Sequence, residues 1–401
     1  MIRKDTIKET TARFFVFLLG LTLAITPSCS RREQSPAEAI EEKTALGRKY
    51  IEEGRLLEAI TLFKQQTESS PESWIAWQSL GHAYELRGNK FNEALSAYRK
   101  ALELHPGNPN DTLAMKRMMG LRTSAQIETS YQTIFAPGDS TGLKGPYLGQ
   151  PTPGLTPKVF APGIVSTKGG FEYVCSVSAN GNELYFQRNK KIQVCRLENG
   201  GWTAPEDAPF TEEYPGSEAH LSTSNNRLFY VRQGEKGPEI WKLDFFPSGW
   251  EPPVRLFPGQ FISTTSSGDL YTSAVMDEGD GGQIACAQWD GESFRSPARL
   301  KGEINSPFGD THPCVSADGH TIIFDSTRPG GKGWSDFYVS FRKKDGTWGK
   351  AVHLESISTD GNDICATLSP DGRFLFFTNN LDIYWVSTGV LDRLKASYSQ
   401  R

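Results

Sequence analysis

The sequence has no block of basic residues. Its 43 lysine and arginine residues are spread along 401 positions, and 47 aspartate and glutamate residues outnumber them, which leaves a net charge of -4. Proteins that bind DNA or RNA neutralise phosphates with clustered lysine and arginine. The absence of such a cluster argues against nucleic acid as a partner.

The sequence also lacks the local signatures of common active sites. It contains no HExxH and no phosphate-binding glycine loop. No cysteine pair has CxxC spacing, so no metal site and no cofactor are predicted. Among the six histidines, His220 and His312 lie near the starts of predicted strands, where a lone histidine is expected to be structural. These absences favour a binding protein over an enzyme.

The first 28 residues have the form of a secretory signal peptide. Basic residues precede an apolar run from Phe14 to Ile25, which is too short to span a bilayer. Ser28 and Cys29 follow, and this end resembles the lipobox of bacterial lipoproteins. The resemblance implies that the thiol of Cys29 carries the lipid that anchors the mature chain to a membrane. The alternative is an ordinary secretory signal with a chance cysteine.

Two copies of a helical pattern follow, beginning at Ala45 and at Ser79. Leu-Gly, Tyr, Gly, Ala, an aromatic residue and Pro recur in the same order in ALGRKYIEEGRLLEAITLFKQQTESSP and SLGHAYELRGNKFNEALSAYRKALELHP. The pattern resembles the tetratricopeptide repeat, in which small residues let two helices approach. With a predicted capping helix beginning at Asp111, the helical segment covers residues 40–129.

The resemblance implies a concave face that could hold an extended peptide. The positions that would line it are Arg48 in the first repeat and Gln78, His82 and Glu85 in the second. The alternative is that the two repeats pack on the rest of the protein or form a dimer.

A Gly- and Pro-rich stretch at 130–156 predicts a linker, and a second repeat begins after it. Units of about 45 to 50 residues carry turns such as SADGHTIIF and SPDGRFLFF between short strands. They resemble the WD40-like β-propeller repeats of TolB-type periplasmic proteins and cover residues 157–390. Five units are visible, and a sixth without a turn signature is the alternative. The last unit stops one strand short, so Pro157–Phe160 is expected to close the ring.

Acidic and basic residues recur at equivalent positions of the propeller units. Glu172, Asp310 and Asp363 precede the turns of the first, fourth and fifth units, and Arg188, Arg232 and Arg328 follow the next strand. If the inner strands begin on one face, these groups could surround the channel mouth and bind a cation or a polar ligand. The alternative is structural, in which each carboxylate accepts loop amides or pairs with an arginine.

The sequence as a whole predicts an α + β multidomain protein, a short helical-repeat segment followed by an all-β propeller. Its expected role is that of an exported, lipid-anchored scaffold of the bacterial cell envelope, anchored to the outer membrane or facing the periplasm. Its expected partners are envelope proteins or peptides, bound on the helical and propeller surfaces. The alternative is a propeller enzyme or glycan-binding module that acts on extracellular polysaccharide.

Overall fold

The protein is described here by a computed structural model. The described residues are 36–87, 90–108, 110–111, 114–115, 136–167, 169–222, 227–246, 249–274, 282–392 and 394–395. The predicted signal peptide, Cys29 and most of the predicted capping helix lie outside these ranges. Within them, no helix combines the length and apolar character needed to cross a membrane.

Four α-helices form the N-terminal part of the described chain. They are α1 (Pro36–Glu52), α2 (Leu56–Ser69), α3 (Trp74–Leu86) and α4 (Phe91–Leu104). Gly54 adopts a positive φ of 74° in the turn after α1, a conformation that glycine reaches without strain. At the start of α3, the Ser73 hydroxyl accepts a hydrogen bond from the amide of Ala76 at 3.3 Å.

Glycine lets the two helices of each pair approach closely. A Cβ atom at Gly47 of α1 would lie 2.2 Å from the ring of Phe63 in α2. A Cβ atom at Gly81 of α3 would lie 3.0 Å from the ring of Tyr98 in α4. Both rings are almost fully buried. The glycines and aromatic residues that recur in the sequence therefore meet in space, as the packing argument predicts.

The strands form five antiparallel sheets, which are the blades of a propeller. The strand β1 (Lys158–Val159) precedes the first blade, which contains β2 (Glu172–Val177), β3 (Glu183–Arg188), β4 (Lys191–Glu198), β5 (Gly201–Trp202) and β6 (Glu206–Asp207). The second blade contains β7 (Ser217–Leu221), β8 (Arg227–Gly234), β9 (Gly237–Phe246), β10 (Gly249–Trp250) and β11 (Val254–Pro258).

The third blade contains β12 (Gln260–Thr264), β13 (Leu270–Ala274), β14 (Gln283–Ala287) and β15 (Ala298–Arg299). The fourth contains β16 (Asp310–Val315), β17 (Thr321–Ser326), β18 (Asp336–Phe341) and β19 (Val352–His353). The fifth contains β20 (Asp363–Leu368), β21 (Phe374–Asn379) and β22 (Asp382–Ser387). The structure confirms the α + β class and a propeller of five blades, and the alternative of six does not hold.

The ring is closed by the strand that the sequence predicts. In the fifth sheet β1 pairs with β22, with Lys158 opposite Trp385 and Val159 opposite Tyr384. The amide of Phe160 then donates to the Ile383 carbonyl at 2.8 Å. Closure in this way covers an edge that would otherwise be open to another chain.

Part of the predicted linker packs on the propeller. Tyr147 is almost fully buried and Leu148 is fully buried, and both belong to the apolar core of the first and fifth blades. The indole of Trp202 donates to the Gly145 carbonyl at 2.7 Å. Glycine and proline set the irregular backbone of this segment, but its few apolar residues are enough to hold it against the ring.

The helices pack against the fourth blade. The hydroxyl of Thr327 donates to the Leu86 carbonyl, at the end of α3, at 2.6 Å, and the amide of Gly309 donates to the same carbonyl at 3.3 Å. Phe308 is buried in the helical core, and Trp334 packs against that core. The helices therefore pack on the rest of the protein, which is one of the two arrangements that the sequence left open beside peptide binding.

Candidate functional site

A cavity of about 260 Å³ opens between α1, α3 and the residues that follow α4. Its lining residues are Arg48, Ile51, Phe63, Gln78, Ser79, His82, Tyr98, Asn110, Asp111 and Ala114. Three of the four residues predicted for the concave face, Arg48, Gln78 and His82, therefore lie on one cavity. Ile51, Phe63 and Tyr98 supply apolar surface beside these polar groups, a combination that is typical of ligand pockets.

The fourth predicted residue, Glu85, has a different position. Its side chain is buried, and its carboxylate accepts a hydrogen bond from the hydroxyl of Tyr98 at 2.5 Å. The Nδ1 atom of His82 lies 3.8 Å from the same carboxylate. Glu85 thus connects two residues of the cavity wall and does not itself line the cavity.

Asp111 is the residue of this cavity that the sequence marks only as a helix start. Its side chain is fully buried, and Gln78 Nε2 donates to its Oδ1 atom at 2.8 Å. Its Oδ2 atom has no hydrogen-bond partner. Burial raises the pKa of Asp111 above its ordinary value, although the Gln78 hydrogen bond and the charge of His105 oppose the shift. No local pattern reveals this carboxylate, because its burial depends on helices far away in the sequence.

The three acidic residues predicted for the channel mouth, Glu172, Asp310 and Asp363, are fully buried at the starts of inner strands. Glu172 accepts from the hydroxyl of Thr167 at 2.6 Å. Asp310 accepts from the amide and hydroxyl of Ser306 at 2.5 and 2.7 Å. The third, Asp363, accepts from the amide of Thr359 at 2.6 Å and from Asn379. These contacts favour the structural alternative, in which each carboxylate holds the loop before its strand.

Two of the three arginines complete this arrangement. Arg188 Nε donates to Glu172 at 3.1 Å, and Arg328 Nη2 donates to Asp310 at 2.5 Å. The second blade has Gly216 at the acidic position, and its Arg232 lies over the ring of Trp241, 4.7 Å from the ring centre. The structure therefore brings each acid together with its own blade and does not assemble the six residues around one ligand.

The partners of each acid affect its protonation. Burial raises the pKa of Asp363 to about 7, although the Thr359 and Asn379 hydrogen bonds oppose the shift. Burial also raises the pKa of Glu172, and the hydrogen bond from Thr167 and the charge of Arg188 oppose that shift.

The innermost strand of every blade contains a β-bulge with a left-handed backbone. It lies two residues after the position that Glu172, Asp310 and Asp363 occupy in their own blades. The φ angles lie between 50° and 59°, and strand pairing shifts register at each bulge. The bulged residues are Val174, Glu218, Phe261, His312 and Cys365. Five non-glycine residues in a conformation that L-residues rarely adopt therefore form one strained layer of the propeller.

The bulged side chains meet at the propeller axis. Val174, Phe261 and Cys365 come from the first, third and fifth blades and form one apolar cluster. Phe261 lies edge-on to the ring of His312, with ring centres 4.9 Å apart. The third blade is not adjacent to the first or the fifth in a ring of five, so Phe261 can meet Val174 and Cys365 only across the axis, and these side chains fill the channel at the level of the bulges.

Glu218 is the acidic residue of this layer and accepts the amide of Phe261 at 2.7 Å, and His312 is the basic one. Its Nδ1 atom lies 2.8 Å from Asp325 Oδ1. Burial opposes a charged imidazole, but the Asp325 carboxylate and the Cys365 thiol together outweigh burial and hold the pKa of His312 well above its ordinary value. Asp325 also accepts the amide of Cys365 at 3.1 Å. Within the described ranges, no group of three or more His, Cys, Asp or Glu residues could hold a metal ion.

Comparison with solved structures finds other propeller proteins. A protein designated TolB from Agrobacterium tumefaciens is 17% identical, with a TM-score of 0.39, and the match covers 53% of this chain and 71% of that one. TolB from Acinetobacter baumannii is 15% identical, with a TM-score of 0.37, and 56% of each chain is covered. A gluconolactonase from Xanthomonas campestris is 14% identical, with a TM-score of 0.35, over 55% of this chain and 87% of that one. No family model matches the sequence.

Proposed function

We propose that this protein is a binding protein of the bacterial cell envelope and that its helical cavity holds an extended peptide segment of a partner. The observation that carries the proposal is the convergence of Arg48, Gln78 and His82 on one cavity together with the buried carboxylate of Asp111. The helices are proposed to be tetratricopeptide repeats, supported by the close Gly47–Phe63 and Gly81–Tyr98 approaches.

The propeller is proposed to act as the scaffold for this cavity. The carboxylates of Glu172, Asp310 and Asp363 are engaged within or next to their own blades, and side chains fill the axis of the propeller at the level of the bulges. Its fourth blade holds the end of α3 through Thr327 and Gly309. A polysaccharide-binding site would instead need acidic and aromatic groups that converge on a deep pocket, and the six predicted mouth residues do not converge.

Peptides selected from a random display library against the full mature chain are expected to lose about tenfold in affinity on Arg48→Ala, because a charge-assisted hydrogen bond is removed. Lys49→Ala is the matched control. It removes the same charge from the adjacent position of α1, where the side chain is 68% exposed and outside the cavity lining. Fluorescence anisotropy measures both affinities. Equal losses in the two variants, or a library that contains no binder, would contradict the proposal.

Attachment to the membrane is proposed to depend on a lipid on Cys29. Cys29→Ala is therefore expected to move the mature chain from the membrane pellet to the soluble fraction, because the acyl chains on this thiol would supply the membrane affinity. Cys286→Ala, which removes a partly exposed thiol of the propeller, is the control and should stay in the pellet. The measurement is fractionation at high salt, followed by immunoblotting. A Cys29→Ala protein that still pellets would show that another interaction holds the chain.

A further inference from the structure

The Oδ2 atom of Asp111 is a buried hydrogen-bond acceptor without a donor. The Asp111 side chain has 0% exposure, so water has little access to it, and Oδ2 has no partner. A buried carboxylate oxygen that accepts no hydrogen bond is unfavourable. A ligand that supplied the missing donor would remove this cost.

The described residues do not supply a cation to this carboxylate. No lysine, arginine or histidine among them forms an ion pair with Asp111. His105 contributes to its electrostatics, but the His105 ring is stacked on Trp74, with ring centres 4.5 Å apart. Arg48 lines the same cavity and is exposed. Among the described residues, the carboxylate of Asp111 therefore has no cationic partner.

The geometry selects between two kinds of positive group. A guanidinium binds a carboxylate best through both oxygens at once. Oδ1 of Asp111 already accepts from Gln78 Nε2, so only Oδ2 remains open. A primary ammonium is a compact point charge that one oxygen can satisfy. The cavity volume of about 260 Å³ is enough for one or two side chains.

We infer that the cavity binds a primary ammonium group, specifically a lysine side chain of the bound peptide, with Asp111 Oδ2 as its acceptor. This inference rests on the proposed peptide-binding function and adds the chemistry that the partner must carry. Arg48 and His82, at the cavity wall, favour an acidic or carboxylate group elsewhere on the same peptide. Lysine, and not arginine, is the distinguishing requirement.

The first test varies the ligand. Each peptide selected against the full chain is resynthesised with its lysine replaced by norleucine, which keeps the aliphatic stem and removes the charge, and by arginine. Norleucine is expected to weaken binding about tenfold or more, and arginine is expected to restore only part of the loss. Selected peptides that contain no lysine, or that tolerate norleucine, would overturn the inference and leave the proposed peptide binding intact.

The second test varies the protein. Asp111→Asn keeps an oxygen for Gln78 but replaces the free acceptor with a donor, so the lysine and norleucine peptides should bind it equally. Asp139→Asn, at an exposed position outside the cavity, is the control and should keep the preference for lysine. Without peptide, Asp111→Asn is expected to melt at the same or a higher temperature than the unaltered protein. A lysine preference that persists in Asp111→Asn would overturn the assignment.

A small probe separates the two proposals if no peptide binds. Nα-acetyl-lysine methylamide and its norleucine analogue are titrated into the full chain, with ligand-detected NMR as the readout. A saturable signal for the lysine probe alone, lost in Asp111→Asn, would support the ammonium site although the peptide proposal had failed. No difference between the two probes would overturn the ammonium site.

Discussion

Replacing Phe160 with alanine is expected to lower the free energy of unfolding by about 3–5 kcal/mol. Phe160 is fully buried where β1 joins the fifth blade, and it makes edge-on contacts with Phe376 and Trp385, with ring centres 5.0 and 5.1 Å apart. The cavity left by the ring would loosen the strand that closes the propeller. Urea unfolding of the full chain, followed by tryptophan fluorescence, measures the change.

Val254→Ala is the matched control for this variant. Val254 lies in β11, an outer strand of the second blade, and is 50% exposed, so its truncation should change stability by no more than about 0.5 kcal/mol. If Phe160→Ala lowered the free energy of unfolding no more than Val254→Ala does, closure by β1 would contribute little to the stability of the ring.

Asp310→Asn is expected to destabilise the protein by about 3–5 kcal/mol, because it leaves the Arg328 guanidinium beside a neutral group in a buried site. Arg328 Nη2 donates to Asp310 at 2.5 Å, and the two side chains are 15% and 0% exposed. Asp363→Asn removes a carboxylate whose partners are neutral, Thr359 and Asn379, so about 1–3 kcal/mol is expected. Thermal unfolding with and without calcium measures both.

The pH dependence provides a check on Asp363. Its folded-state pKa of about 7 is higher than the ordinary value, so the folded protein binds the proton more tightly than the unfolded chain does. The contribution of this group to stability therefore falls as pH rises from about 4 to 7. The difference in stability between the unaltered protein and Asp363→Asn should narrow over that window. A melting temperature that rises with calcium only in the unaltered protein would instead support a ligand site.

The repeating architecture could be predicted because it follows from local patterns. Turns such as SADG and SPDG recur between short apolar strands, and this spacing indicates a propeller with five visible units, with a sixth unit left as an alternative. The missing strand of the last unit, and the similarity of Pro157–Phe160 to an outer strand, predict closure of the ring. The turn and strand signals lie within one repeat, where spacing in the sequence corresponds directly to spacing in the structure, whereas the closure signal comes from comparing the first and last units.

The roles of the acidic residues could be predicted only as alternatives. Their spacing shows that Glu172, Asp310 and Asp363 are equivalent, but spacing does not show which way a carboxylate points. Only the folded blade places Ser306 and Arg328 around Asp310, and leaves Asn379 as the partner of Asp363. Hydrogen-bond partners of a buried group depend on neighbouring strands and loops, and no local pattern encodes them.

The sequence by itself determined the helical pairs and the repeating propeller, because hydrophobic periodicity, turn residues and close glycine–aromatic packing act over short stretches of chain. Only the tertiary structure decided where the helices sit and which carboxylate their cavity contains. The contact between Thr327 and Leu86 joins residues 241 positions apart, and the burial of Asp111 depends on Gln78, 33 positions away. Such contacts arise from the packing of separate surfaces, so the candidate site is a property of the assembled fold.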